Sequence, residues 1–93
     1  MKRALLHPDF RAQIRALGRP LRTEIGQAIE AVEKGFGQPH LHAGLGARKL
    51  SRLHYEMRVG LALRLIFMDQ PDGLKFVFLG NHDQVRRFLK GVR

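Results

Sequence analysis

The chain has 93 residues, 44% of them hydrophobic, which is enough for one compact domain spanning residues 1–93. It contains no cysteine, so disulfide bonds, thiolate metal sites and a cysteine nucleophile are excluded. Seventeen Lys and Arg residues against eight Asp and Glu give a net charge of +9, which favours a polyanionic partner. No apolar run reaches the ~18 residues of a membrane span and the N-terminus lacks a secretory signal pattern, so we expect a cytoplasmic protein with no membrane partner.

The first half of the sequence predicts a short strand and two helices. "RALL" at residues 3–6 suits an opening strand. Pro8 then suits the first turn of a helix whose apolar residues recur with helical spacing and end before Gly18. A second helix is predicted from Pro20 to Gly35, and its apolar stripe consists of Leu21, Ile25, Ala28, Ile29 and Val32. The two helices should form a hairpin.

The second half changes to a period of two, which is typical of strands. Between residues 52 and 59, apolar side chains alternate with charged or polar ones, namely Arg52, His54, Glu56 and Arg58. Gly60 allows a turn, "LALRLIFM" predicts a second strand, "DQPDG" a turn and "LKFVFL" a third strand. These segments predict an antiparallel meander with one core face and one charged face.

The last element is predicted to be a short helix. Asn81 and Gln84 have the spacing of a capping box, and an inward apolar stripe follows at Val85, Phe88, Leu89 and Val92. The predicted order is therefore β-α-α-β-β-β-α, an α+β fold with helices packed on a curved antiparallel sheet.

The excess positive charge is greatest in the second half. Ten basic and four acidic residues follow from position 48 onward, a net +6, against seven and four, a net +3, before it. If the strands pair as neighbours, the charged face of residues 52–58 approaches Arg64. The chain leaving the third strand then brings in His82, Arg86 and Arg87. This convergence predicts a basic concavity suited to a polyanion.

The element order, together with "RVGLALRLIF" and the closing "GNHDQVRRFLK", resembles the RelE/ParE superfamily of small bacterial toxins that pair with antitoxins. The resemblance covers nearly the whole chain in pattern, and its specific part is residues 48–90. The RelE-like branch implies a toxin that cleaves messenger RNA on the ribosome without a metal or cofactor. It also implies a cognate antitoxin that forms a hetero-oligomer with the toxin, and we expect its acidic segment to wrap the basic surface.

The resemblance also implies roles for individual residues. Arg64 matches the arginine that family members place against the scissile phosphate, and Arg58 fits a second phosphate ligand. Glu56 departs from a doubly basic family pattern, so it is either a general base or a counter-ion for an arginine. His82 is the candidate general acid, with a helix-capping histidine as the alternative. Asp83 is expected only to complement the helix dipole.

Other basic and aromatic residues are candidates for RNA contact. Phe88 stands where some relatives carry a catalytic tyrosine, so it is either core or a platform for a base. Candidate contacts to the RNA backbone, with a solvated basic face as the alternative, are Arg48, Lys49, Arg52 and His54.

His40 and His42 in "PHLH" lack acidic or cysteine companions, so they are interpreted as loop residues and no metal site is expected.

Two further classes of function remain as alternatives. The ParE-like branch shares the fold but inhibits DNA gyrase by binding it, without nuclease chemistry. A helix-turn-helix DNA-binding unit over residues 9–34 is disfavoured because acidic residues at Glu24, Glu30 and Glu33 would repel phosphates.

Overall fold

The computed structural model describes residues 2–38 and 42–91. Its helices and strands, in chain order, are β1 (Ala4–Leu6), α1 (Pro8–Arg15), α2 (Arg19–Gly35), a short 3-10 helix (His42–Leu45), β2 (Arg48–Lys49), β3 (His54–Val59), β4 (Leu63–Gln70), β5 (Gly73–Gly80) and α3 (His82–Lys90). The predicted α+β fold is confirmed.

The strands form one five-stranded sheet in the order β1-β5-β4-β3-β2. The meander of β3, β4 and β5 is antiparallel, as predicted, and β2 adds an antiparallel edge beside β3. At the other edge β1 runs parallel to β5, so the sheet is mixed. The opening strand and the closing strand are thereby neighbours although most of the chain separates them.

The helices begin where local chemistry favours it. Pro8 occupies the first turn of α1, and the His7 side chain caps that turn by accepting a hydrogen bond from the Asp9 backbone N–H at 3.1 Å. Helix α3 begins with the predicted capping box. The Asn81 side chain accepts from the Gln84 N–H at 2.9 Å, and the Gln84 side chain accepts from the Asn81 N–H at 2.8 Å.

The core lies between one face of the sheet and the hairpin of α1 and α2. Its largest fully buried side chains include Phe10 and Ile25 from the helices and Phe67 and Phe76 from the sheet. Phe67 packs 5.1 Å, centroid to centroid, from Phe76. Tyr55 stacks on Phe67 at 5.6 Å, so the single tyrosine packs against the core.

The opposite face of the sheet is only partly covered, because α3 packs there against β4 and β5 alone. Phe88 of α3 stacks on Phe78 of β5 with ring centroids 4.5 Å apart. Helix α3 makes no principal contact with β2 or β3, which form the other part of this face together with the start of β4. We call this part the open face; it carries Arg48, Glu56, Arg58 and Arg64.

Candidate active site on the open face of the sheet

Strand register brings four charged residues together on the open face. Arg48 of β2 is the cross-strand partner of Glu56, and Arg58 is the partner of Arg64. Cross-strand partners in a sheet share a face, and Glu56 and Arg58 share a face of β3 because they are two residues apart. The strand register therefore brings Arg64 close to the charged face of β3, as predicted.

Glu56 is the centre of this cluster. Glu56 is only 5% exposed to solvent. One carboxylate oxygen, Oε1, accepts a hydrogen bond from Arg64 Nη1 at 3.0 Å, and the other, Oε2, lies 3.6 Å from Arg48 Nη2. A buried carboxylate requires such compensation, because removing a charge from water is costly unless it is paired and hydrogen-bonded.

Arg58 differs from the other two arginines because it has no ion pair or side-chain hydrogen bond among the described residues, and it is exposed. It stands directly across from Arg64, and two like charges in that relation repel each other. Three arginines and one glutamate leave a net charge of +2 on the open face. The arrangement is therefore electrostatically suited to an anion.

A cavity of about 140 Å³ lies in this cluster, lined by Gly46, Arg48, Glu56 and Arg58. Small-molecule sites commonly occupy ~300–1,000 Å³. The cavity is thus too small to enclose a nucleotide, but it offers space for a compact group such as a phosphate.

The turn from β5 into α3 delivers His82 to the same end of the sheet. Gly80 is the cross-strand partner of Arg64, and His82 follows two residues later as an exposed first residue of α3. A Cβ atom at position 80 would stand 2.9 Å from Gln84 and from the Phe78 ring. Glycine therefore permits the close approach of β5 and α3 that positions His82.

The remaining α3 candidates have different environments. Arg86 and Arg87 are exposed, so both can contact a polyanion. Phe88 is half-buried and stacked on Phe78 with an interplanar angle of 12°. That stacking anchors α3 to the sheet and occupies one face of the Phe88 ring.

The candidate RNA contacts around β2 are separated by the structure. Arg48 lies on the open face, whereas Lys49 lies on the core side, with its Nζ 6.0 Å from the centroid of the Tyr55 ring. Arg52 is exposed in the turn before β3.

His54 is not the exposed contact that alternation suggested. It is 6% exposed, and its Nδ1 shares a hydrogen bond of 3.0 Å with the Ser51 hydroxyl. Burial lowers the pKa of the His54 imidazole below its ordinary value of 6.5, because desolvation disfavours the charged form. A neutral, buried imidazole is unsuited to a phosphate contact, so this interpretation is corrected.

Glu56 lies on the charged face that alternation predicted, and it is nearly buried there. Its carboxylate is paired there with Arg64 and Arg48. Two residues were not predicted from the sequence. Ser51 holds His54 through a hydrogen bond, and Gly46 lines the cavity. Gly46 has a positive φ of 72°, a backbone conformation that favours glycine.

His40 and the side chain of His42 lie outside the described residues. Within residues 2–38 and 42–91, no three histidine, aspartate or glutamate side chains gather as ligands of one metal ion. No helix of this described part has the length and apolar character required to cross a bilayer.

No family model matches this sequence, and no curated protein matches it. Solved structures do. A chain of the RelB–RelE antitoxin–toxin complex from Methanococcus jannaschii superposes with a TM-score of 0.68 and 17% identity, covering 90% of this chain and 96% of its own. The protein HP0894 from Helicobacter pylori superposes with a TM-score of 0.51 and 16% identity, covering 89% of this chain and 97% of its own. The chain therefore has a RelE-like fold.

Proposed function

We propose that this protein is the toxin of a toxin–antitoxin pair and cleaves messenger RNA on the ribosome by metal-independent attack of the RNA 2'-hydroxyl. The likeness to a toxin–antitoxin complex supports the toxin role at the level of fold. The single observation that carries the nuclease proposal is the Glu56 carboxylate held between Arg64 and Arg48, beside the unpaired Arg58.

The reaction needs three kinds of group. The 2'-oxygen forms a bond to the adjacent phosphorus, its proton goes to a base, and the bond from phosphorus to the 5'-oxygen breaks. A proton from an acid completes the leaving hydroxyl, so the products are a 2',3'-cyclic phosphate and a 5'-hydroxyl end. Cations must stabilise the extra negative charge of the phosphorane transition state.

Arg64 and Arg58 are the cations in this proposal. The Arg64 guanidinium is fixed by Glu56 and is largely buried, its side chain 15% exposed, so it is preorganised before RNA arrives. Arg58 has no partner to give up among the described residues, and its guanidinium can bind a phosphate oxygen directly.

Glu56 changes partners when a phosphate binds. In the free protein both of its oxygens face arginines. A phosphate that accepts hydrogen bonds from Arg64 competes with the carboxylate, and the released lone pair can take the proton of the 2'-hydroxyl. The same residue thus holds Arg64 in place before the reaction and serves as the general base during it.

His82 is the proton donor for the leaving 5'-oxygen. It is exposed at the end of the sheet where Arg64 lies, and an imidazole is suited to proton transfer near neutral pH. Phe88 has no hydroxyl and is stacked on Phe78, so it supplies no proton. The acid role therefore falls to His82.

An antitoxin can inhibit this site through the same charges. The open face carries a net +2, and Arg86 and Arg87 of α3 are exposed. An acidic, extended antitoxin segment laid across these residues would compete with RNA for them.

The proposal is tested by incubating the purified protein with messenger RNA, free and on translating ribosomes, and analysing the ends of the fragments. We expect 2',3'-cyclic phosphate and 5'-hydroxyl ends in the presence of a chelator, and no cutting at a 2'-deoxy position. Arg64→Ala should lower the cleavage rate by at least about 10²-fold. The matched control is Arg3→Ala, an exposed arginine beside the far edge strand, which should cleave like the unmodified protein.

Inhibition of DNA gyrase by the purified protein, with no cutting of RNA on or off the ribosome, would contradict the nuclease proposal. That result would assign the protein to the ParE-like alternative, in which the open-face cluster has no catalytic role.

A further inference from the structure

A second basic surface lies on the helix layer, away from the open face. Between residues 10 and 23 the chain has four arginines and no acidic residue. All four are exposed, and none has an ion pair or side-chain hydrogen bond within the described part of the chain. We call this the helix-junction surface; it consists of Arg11 and Arg15 on α1 and Arg19 and Arg22 on α2.

Helix stability does not explain where these arginines stand. Helices α1 and α3 follow the dipole rule, each with an acidic residue in the first turn, Asp9 and Asp83. Helix α2 has no acidic residue in its first turn, carries Arg19 and Arg22 there, and has no side-chain cap at Gly18. Cations at a helix N-terminus oppose the dipole. Of the three described α-helices, only α2 departs from the dipole rule, which points to a role in binding for its first-turn arginines.

Two contacts place the helix-junction surface at the same end of the sheet as the candidate active site. The Gln13 side chain, on α1 between Arg11 and Arg15, exchanges hydrogen bonds of 2.7 and 3.0 Å with the backbone of Leu79. Leu79 immediately precedes Gly80, the partner of Arg64. The middle of α1 is thereby fixed beside the strand end where Arg64 lies.

The second contact involves α2 and the β3–β4 turn. Glu24 Oε2 lies 3.7 Å from the position that a Cβ would take on Gly60, in the turn that joins the strands of Arg58 and Arg64. The first turns of α2 therefore adjoin this turn. Both the open face and the helix-junction surface therefore adjoin this end of the sheet.

We infer that the helix-junction surface binds the phosphate backbone of the substrate RNA strand beyond the scissile phosphate. This inference rests on the proposed function, because it takes the strand that is cut as the ligand. It adds a second contact region in the first half of the chain, where the charge count alone did not place one.

The chemistry of the surface favours a nucleic-acid backbone over an acidic protein segment. Its cations are all arginine, whose planar guanidinium binds phosphate oxygens in pairs. Bound peptides are usually anchored by buried apolar or aromatic side chains. On the helix-junction surface itself the exposed large apolar side chain is Leu21, at 37%, whereas the fully exposed Leu61 lies in the adjoining β3–β4 turn. Beyond Thr23 the exposed face of α2 becomes acidic, at Glu24 and Glu30, so the binding surface is limited to the junction.

The test measures binding of uncleavable 2'-O-methyl RNA to the full-length protein over a range of salt concentrations. One RNA has about 16 nucleotides and the other about 4, the range that single-strand binding sites span. The variant is Arg19→Gln/Arg22→Gln. For single-stranded RNA each lost phosphate contact removes about 0.7 from the slope of log K against log salt. We therefore expect the slope for the long RNA to fall by about 1.4 and the slope for the short RNA to stay unchanged.

The matched control is Arg3→Gln/Lys34→Gln, which removes two exposed basic side chains outside both surfaces. It should keep the slope of the unmodified protein on both RNAs. The melting temperature of Arg19→Gln/Arg22→Gln should be equal or higher, since cations at the start of α2 are removed. That readout separates a loss of contacts from a loss of folding.

An unchanged slope for the long RNA, or an equal loss in the control pair, would overturn the inference. An unchanged slope with lost binding of polyglutamate would also overturn it and assign the surface to an acidic protein. Because the RNA is uncleavable, the result is independent of catalysis. A lowered slope in a protein that cuts no RNA would keep this surface as an RNA-binding site while the proposed nuclease function failed.

Discussion

The two faces of the sheet have the same alternating sequence pattern but different physical outcomes. On the face under α1 and α2, Met57, Leu65 and Phe67 are buried by other apolar side chains. On the open face, Glu56 is also buried, and its carboxylate is paired with the guanidinium groups of Arg48 and Arg64. Alternation identifies which residues share a face, and only tertiary packing decides whether that face is exposed to solvent.

This difference between the two faces also distinguishes the residues that stabilise the fold from the residues that suit it to chemistry. Apolar burial stabilises a core directly. A buried ion pair of similar volume is often no more stabilising than a hydrophobic replacement, because both charges lose their water. The proposed chemistry at the open face would give the carboxylate at position 56 a role beyond stability.

The largest effect on stability is expected on the core face. Phe67 is fully buried and contacts the rings of Phe36, Tyr55 and Phe76. Phe67→Ala should lower the free energy of unfolding by about 3–5 kcal/mol, the cost of a large cavity. Chemical denaturation measures it. The comparison variant is Phe88→Ala on the other face; because Phe88 is half-buried, an equal loss there would contradict the distinction between the two faces.

A smaller effect is expected from the charge cluster. Arg64→Met leaves the 5% exposed Glu56 with only the more distant Arg48. Breaking a fully buried pair typically costs ~3–5 kcal/mol; since Arg48 remains, we expect a loss of about 2–3 kcal/mol. Adding Glu56→Gln should restore most of it, because the stranded charge is removed. A double variant no more stable than Arg64→Met would show that the pair itself, and not the unpaired carboxylate, determines stability.

The smallest effect is expected from pH, at His54. Its pKa is lowered by burial, so the unfolded chain binds a proton more readily than the native protein does. The contribution of neutral His54 to stability is therefore complete above the unfolded pKa, near 6.5, and is lost as pH falls toward the lower folded pKa. Unfolding free energies of the unmodified protein and His54→Gln, measured from pH 7.5 to 5, should converge at acid pH. Parallel curves would contradict this.

The sequence predicted the elements whose signals are local. Pro8 and the Asn81–Gln84 capping box mark helix starts, and the period of two marks β3. Two features depend on distant partners: β1 pairs in parallel with β5, and the two residues of β2 are too few to show a period. Alternation placed His54 on the charged side of β3, and its burial there could not be inferred from that pattern.

The features of the candidate site also divide into those that local sequence signals predict and those that depend on distant partners. The convergence of Arg58 and Arg64 could be inferred from strand alternation and the hairpin. The double contact of Glu56 with Arg48 could not, because it requires β2 to add to the edge of the sheet. The packing of Phe88 on Phe78 likewise depends on how α3 lies across β5.

The most direct test of the proposed mechanism measures the cleavage of an RNA whose leaving 5'-oxygen is replaced by sulfur. A thiol has a pKa near ~8.5 and leaves without a proton from an acid. On ordinary RNA, His82→Gln should slow single-turnover cleavage by about 10²–10⁴-fold. On the sulfur-containing RNA it should cleave like the unmodified protein, while Arg64→Ala stays slow on both and the neighbouring Asp83→Asn stays normal on both. Equal impairment of His82→Gln on the two RNAs, or none on either, would contradict the proposed role of His82 as the proton donor.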